Sequence, residues 1–115
     1  MAEFPASLLP AAAVPLADAA SIVIDASAGR LFEVTIAGDR TLAPPVNGAA
    51  NPLVTLAVTQ GAGGSFTLTY STAFEFSSGL PEPTLSTDAG TTDYLGFVWS
   101  AVAGKWRLLS FQGGF

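Results

Sequence analysis

The sequence predicts an all-β fold: an antiparallel β-sandwich or small barrel, jelly-roll-like, with an extended N-terminal arm rich in proline and alanine. Three observations carry this. Apolar and polar residues alternate over short segments, the period of a strand with one buried face. Glycine, proline and asparagine punctuate roughly seven or eight such runs, at the spacing usual for sandwiches and barrels. No useful length of chain repeats its apolar residues at the helical period of about 3.6.

Taken in order, residues 1–20 form the arm. Pro5, Pro10 and Pro15 recur through it, and proline opposes both helix and central strand because it lacks an N–H. Phe4, Leu8, Leu9, Val14 and Leu16 are its apolar anchors. Two placements are open to it: folded back over its own domain, or laid across a neighbouring subunit. The Leu/Ala content and the small residues at Ala17–Ala20 imitate a secretory leader. A leader starts basic, whereas this segment has Glu3, no Lys or Arg, and proline breaks. It is read as uncleaved, and no run reaches the roughly 18 apolar residues of a membrane helix.

Residues 21–115 read as one β domain. Ser21–Asp25 is short and β-branched, with Val23 set inward. In Leu31–Ala37 the residues Phe32, Val34 and Ile36 share a face, and Ala28-Gly29 signals a tight turn before it. Leu53–Thr59 turns Val54, Leu56 and Val58 inward. A turn at Gly61, Gly63 and Gly64 leads into Ser65–Ser71, with Phe66, Leu68 and Tyr70 on one face. Residues 92–101 form a long aromatic strand, and Gly104 turns the chain into Lys105–Phe111. Thr41–Pro52 holds Pro44, Pro45 and Asn47-Gly48, and Ser77–Gly90 holds Pro81 and Pro83; both read as surface excursions. The core expected from these phases also includes Leu42, Leu95, Phe97, Trp99 and Trp106. Tyr94 and Val98 make the long strand apolar on its second face too, and a strand apolar on both faces is covered on both.

Composition narrows the function. The 115 residues contain no Cys and no His. That removes disulfides, thiolate metal sites, the commonest general base and the commonest metal ligand. A net charge of −5 with only Arg30, Arg40, Lys105 and Arg107 basic argues against gripping a phosphate backbone. Only 11% of residues are charged while 50% are hydrophobic, against about 25% charged in an ordinary domain. The surplus apolar surface points to assembly, as a homo-oligomer and specifically a trimer.

No constellation for catalysis emerges. Asp88 and Asp93 sit near each other around Gly90, and Asp25 and Glu33 flank an expected hairpin; all four read as solvated turn residues. The Asp88–Asp93 loop lacks the acidic density of a calcium loop. Serines have no histidine to activate them, and Lys105 sits in a turn rather than a desolvating pocket. Gly61–Gly64 lacks the G-K-[ST] of a phosphate loop. Tyr70, Phe74, Phe76, Tyr94, Trp99 and Trp106 are candidates for stacking on sugars, though more often core or interface anchors. No catalytic, cofactor or metal residue is expected, and the chain is read as not an enzyme.

The ordered motifs Asp25-Ala26-Ser27, Asp39-Arg40-Thr41-Leu42, the Pro44–Pro52 loop and Thr67-Leu68-Thr69 continue through Leu80-Pro81-Glu82-Pro83-Thr84-Leu85-Ser86-Thr87, Asp93-Tyr94-Leu95-Gly96-Phe97 and Gly104-Lys105-Trp106. Over about residues 21–110 this resembles a β-rich module of tailed-bacteriophage virion structural proteins, found in tail fibres and surface proteins. The resemblance implies a structural role and brings no catalytic residues. Here the module follows only a 20-residue arm, which favours a small protein attaching to an existing lattice. The expectation is a capsid decoration (cement) protein on the outer surface of the head, binding the major capsid protein and neither nucleic acid nor membrane. The alternative is a tail-tip or fibre-end module that binds host carbohydrate. The expected contact residues are Phe4, Leu8, Leu9, Val14, Leu16, Pro44, Pro45, Pro81, Pro83 and Phe115, and the arm or the Gly113–Phe115 tail is expected to add a strand to a partner sheet.

Overall fold

The structure is a computed structural model and describes residues 12–115. All regular structure in these residues is strand: β1 (Val14–Pro15), β2 (Ser21–Ile22), β3 (Leu31–Ile36), β4 (Arg40–Leu42), β5 (Leu53–Gln60), β6 (Leu68–Tyr70), β7 (Phe74–Glu75), β8 (Thr92–Ser100) and β9 (Lys105–Gln112). They form a six-stranded sheet, order β1-β3-β5-β8-β9-β7, and a three-stranded sheet, order β2-β4-β6. The all-β class is as the alternation predicts.

The pairing is not. Five of the seven strand pairings are parallel, and only β5–β8 and β8–β9 are antiparallel. The expectation of an antiparallel sheet is therefore corrected. Parallel neighbours need a crossover, usually a helix. Here the other sheet supplies it: odd strands up to β5 lie in the large sheet and β2, β4 and β6 in the small one, so the chain winds from sheet to sheet. Phe32 pairs with Leu56 and Thr41 with Thr69, each one winding apart. The β8–β9 hairpin then enters between β5 and β7, leaving β7 parallel to β9 at the far edge.

Two expected hairpins dissolve in this arrangement. The Ala28-Gly29 turn joins β2 to β3, and the Gly61–Gly64 turn joins β5 to β6; in both cases the flanking strands belong to different sheets. The turn at Gly104 is the hairpin that forms. Ser65–Ser71 shortens to Leu68–Tyr70 because the Phe66 N–H donates to the Gln60 side chain instead of a ladder, and Ser65 turns at φ 62°. Thr41–Pro52 is also less of an excursion than expected. The Ala43 and Val46 N–H groups donate to Ile22 and Ile24, and the Ala26 N–H donates to Val46, so residues 43–46 run beside 22–26.

The inward rows of both sheets belong to one hydrophobic core. The small sheet gives Ile22, Leu42 and Leu68; the large sheet gives Phe32, Val34, Ile36, Val54, Leu56, Val58, Leu95, Phe97, Trp106 and Leu108. Each large side chain so buried contributes about 1.5–3 kcal/mol relative to exposure. Val23, expected inside, is 47% exposed, while Ile22 and Ile24 take the inward positions. Phe66 and Trp99 are only partly buried against the core. On the second face of β8, Tyr94 is 39% exposed in the single chain.

The described part of the arm takes the placement on its own domain. Val14–Pro15 adds to the β3 edge, Val14 and Leu16 pack against the core, and the Leu16 N–H donates to the Glu33 carbonyl. Pro15 suits this edge because its missing N–H is not needed by a further strand. Asp18 binds the Arg40 guanidinium at 2.6 and 2.9 Å and accepts the Ala37 N–H. The β unit therefore begins at Val14, ahead of the expected boundary at Ser21. Removal of residues 1–20 should lower stability in urea by about 2–4 kcal/mol, from the uncovered apolar area of two side chains plus the lost Asp18 contacts. Removal of residues 1–11 should leave most of that stability, because β1 remains.

Candidate functional site

The residues expected to contact a partner do not form one patch. Phe4, Leu8 and Leu9 lie outside the described residues. Val14 and Leu16 are engaged by the chain's own core. Pro44 and Pro45 follow the C-terminal end of β4, while Pro83 lies beside Ser65–Leu68, at the N-terminal end of β6. Because β4 and β6 are parallel, these two proline segments lie toward opposite ends of the small sheet. Phe115 sits by Thr92: their backbones exchange hydrogen bonds at 2.9 and 3.2 Å. The tail expected to add a strand to a partner sheet thus spends these backbone groups on its own β8.

One end of the molecule, the turn end, gathers the loop 43–52, the 100–104 turn and the starts of β3 and β5. The Trp99 N–H donates to the Pro52 carbonyl, the Asn51 side chain donates to the Ala26 and Gly29 carbonyls, and Gly48 lies against Trp106 and Trp99. Trp99 and Trp106 meet there at a 5.5 Å centroid distance with their rings tilted by 48°. Around this scaffold Val46 is 45%, Leu53 57% and Val102 fully exposed. No charged residue occurs between Arg40 and Glu75, so the loop 43–52 adds apolar and amide surface and no charge.

The opposite end is held by polar bonds that sequence reasoning missed. Asp93 is 2% exposed and accepts hydrogen bonds from the Ser86 N–H, the Ser86 hydroxyl and the Gly114 N–H. It is a buried latch joining the 77–91 loop, β8 and the C-terminal tail, not the solvated turn residue expected. A Cβ on Gly113 would run into its carboxylate. Gln60, 3% exposed, works alongside: its side-chain amide donates to the Phe66 and Ser86 carbonyls and accepts the Phe66 N–H. A signal for both was present, because Asp93 shares its phase with Leu95 and Phe97, and Gln60 shares its phase with Leu56 and Val58. A polar residue in an inward row must be matched by donors and acceptors.

The remaining candidates resolve individually. Asp88 stays in its turn, its carbonyl accepting the Thr91 N–H and hydroxyl. Asp25 accepts the Ser27 N–H and hydroxyl and the Asn47 amide on one oxygen, while Glu33 is exposed on β3. Neither flanks a hairpin. Lys105 donates to the Thr72 carbonyl and Arg107 to Glu75 at 2.8 Å. Tyr70, Phe74 and Phe76 form an aromatic cluster at 5.0–6.1 Å separations. The Tyr70 hydroxyl is buried with no partner among the described residues, and burial raises its pKa, with the Glu82 and Asp93 charges adding. The outward aromatic pair is Tyr94 and Phe115, edge to face at 5.6 Å. Comparison with protein-family models, curated proteins and solved structures finds no match.

Two predictions follow from these bonds. Asp93→Asn should lower stability by about 1–3 kcal/mol, because an amide NH2 cannot accept from the donors around it; Asp88→Asn should change it little, and urea unfolding of both variants checks the contrast. The second concerns acid. The Arg40 hydrogen bond holds the Asp18 pKa below its ordinary value, and hydrogen bonds from Asn47 and Ser27 do the same for Asp25. A carboxylate whose pKa is depressed on folding stabilises the fold above its unfolded pKa, about 3.9, and that contribution is lost as pH falls through the folded value. The urea midpoint should therefore fall below about pH 4, and less steeply in an Asp18→Asn, Asp25→Asn double variant.

Proposed function

We propose that this chain is a tailed-bacteriophage virion structural protein of the capsid decoration kind, bound as a homotrimer to the major capsid protein on the outer face of the head, where it stabilises the shell. The observation that carries the reading is the turn end. There the exposed side chains of Pro44, Val46, Leu53 and Val102 stand about the Trp99–Trp106 pair, with Asp25, Arg30 and Lys105 as the nearby charges. Apolar surface on a rigid support suits a repetitive protein lattice. The module resemblance supports the same reading through the residues it shares. Asp93 of the D-Y-L-G-F motif is bonded to Ser86 of the L-P-x-P-T-L-S-T motif, and Thr67 of T-L-T donates to Asp39 of D-R-T-L. These motif residues hold the fold, as expected of a structural module. The two sheets on a common core support a small sandwich, wound with parallel pairs rather than as a jelly roll.

The exposed Tyr94–Phe115 pair favours a second reading, in which the domain lies at a tail tip and stacks on host-surface sugar. Position separates the two. Purified particles analysed by quantitative mass spectrometry should contain copies in proportion to the capsid protein, not a few per particle. Particles lacking the protein should release DNA at lower temperature and adsorb to host cells normally, because the bound state of the lattice is what ligand binding stabilises. Attachment should depend weakly on salt, since few charges take part. Particles that keep full heat resistance yet fail to adsorb would overturn the decoration reading in favour of the tail-tip reading.

A further inference from the structure

The sequence holds two asparagines, Asn47 and Asn51, and their neighbours set opposite fates. An asparagine side chain is open to attack by the backbone nitrogen of the next residue. Asn51 is followed by Pro52, whose nitrogen carries no proton to lose, so it has no such nucleophile. Asn47 is followed by Gly48, which has no side chain to shield its nitrogen. Among the described residues the Gly48 N–H donates no backbone hydrogen bond, and Asn47 is exposed. Asn47 also stands in the left-handed region, at φ 59°, which asparagine tolerates.

One contact restrains its side chain. The Asn47 amide donates to Asp25 Oδ1 at 2.8 Å, a bond strengthened by the carboxylate charge. The same oxygen accepts the Ser27 N–H and hydroxyl, which fix its position. Backbone bonds lie on either side. The Val46 N–H donates to the Ile24 carbonyl, the Ala26 N–H to the Val46 carbonyl and the Ala50 N–H to the Asn47 carbonyl. The Asp25–Asn47 bond therefore fastens the loop 43–52 to the segment it runs beside.

We propose that Asn47 is a deamidation site restrained by Asp25, and that its conversion unfastens the loop. Hydroxide takes the Gly48 N–H proton, and the nitrogen attacks Asn47 Cγ. The Gly48 N–Cγ bond forms, the Cγ–Nδ2 bond breaks, and the amide nitrogen leaves as ammonia with a proton from water. Water then opens the succinimide at either carbonyl, giving aspartate or isoaspartate. The sum is one water consumed and one ammonia released, with no change of oxidation state. The product carries a carboxylate where the amide donated. Two carboxylates then face each other across the former bond, and like charges so close repel. The isoaspartate form also lengthens the backbone beside Gly48, which lies close against Trp106. This chemistry belongs to the chain in isolation and is independent of the virion reading.

Whole protein held in warm, mildly alkaline buffer and mapped by mass spectrometry at intervals tests it. The peptide containing Asn47 should gain the mass of amide-to-acid conversion, as separable aspartate and isoaspartate forms. It should do so several-fold more slowly than an unfolded reference peptide of residues 41–52, and Asn51 should stay an amide throughout. Asp25→Ala should raise the rate several-fold. Asp18→Ala, which loses the Arg40 contacts without touching Asn47, should not. An Asn47 that remains an amide while the reference peptide converts would overturn the site. A folded rate equal to that of the peptide, or equal rates in Asp25→Ala and Asp18→Ala, would overturn the restraint. Independently, Asn47→Asp places the product carboxylate directly. It should speed hydrogen exchange at the Val46 and Ala26 N–H groups and leave the β5–β8 ladder unchanged. Unchanged exchange at Val46 and Ala26 would overturn the unfastening.

Discussion

The fold depends on one constraint: the inward rows of the two sheets leave water only against each other. The small sheet offers only Ile22, Leu42 and Leu68, with Tyr70 packed beside them, from its strands. That is too little to bury itself, and its strands are two or three residues long. It persists because the broader apolar face of β3, β5, β8 and β9 covers it. Each winding of the chain places one segment in each layer, so the two layers interleave along the sequence. The covering face is in turn centred on β5, which holds β3 by parallel bonds on one side and β8 by antiparallel bonds on the other.

This explains which parts of the fold could be read from residues alone. Alternation encodes the face on which a side chain lies, so the phases of Phe32-Val34-Ile36, Val54-Leu56-Val58 and Leu95-Phe97 are legible, and the structure has them as read. Alternation does not encode the neighbour. A run such as L-F-E-V-T-I presents the same face beside a parallel or an antiparallel strand, so adjacency along the chain was taken for pairing. In Ser21–Asp25 even the phase was ambiguous, since Ile22, Val23 and Ile24 are all β-branched. Ala26 continues the Ile22-Ile24 phase and is itself fully buried.

The candidate site was legible to a smaller degree, for a related reason. Expected contact residues were chosen as apolar or proline residues in segments without strand periodicity. Such residues serve equally as anchors within the chain, and Val14 and Leu16 do so. Phe115 reads from sequence as part of a tail free to add a strand to a partner sheet; its ring is exposed, but its backbone is committed to Thr92. Asp93 reads from sequence as a turn carboxylate because it follows the glycine- and proline-rich 77–90 loop, and Gln60 belongs to no motif. Their geometry instead shows polar groups chosen for the number of bonds they accept or make where water is excluded.

The two ends of the molecule consequently differ in what they leave for a partner. At the Asp93 end, a buried carboxylate with three donors and a buried amide with three bonds consume the local hydrogen-bonding capacity. A ligand there would have to break charge-assisted bonds before making its own, and such bonds are the strong ones. At the turn end the backbone is also tied, through Pro52, Asn51 and the 43–46 pairing, but the outward side chains are Val46, Leu53 and Val102 with nothing to break. Binding gains area there without a compensating loss of bonds, and the fixed backbone spares the entropy of ordering a loop. An association surface on this domain is therefore favoured where its own hydrogen bonds point inward and its apolar groups point out.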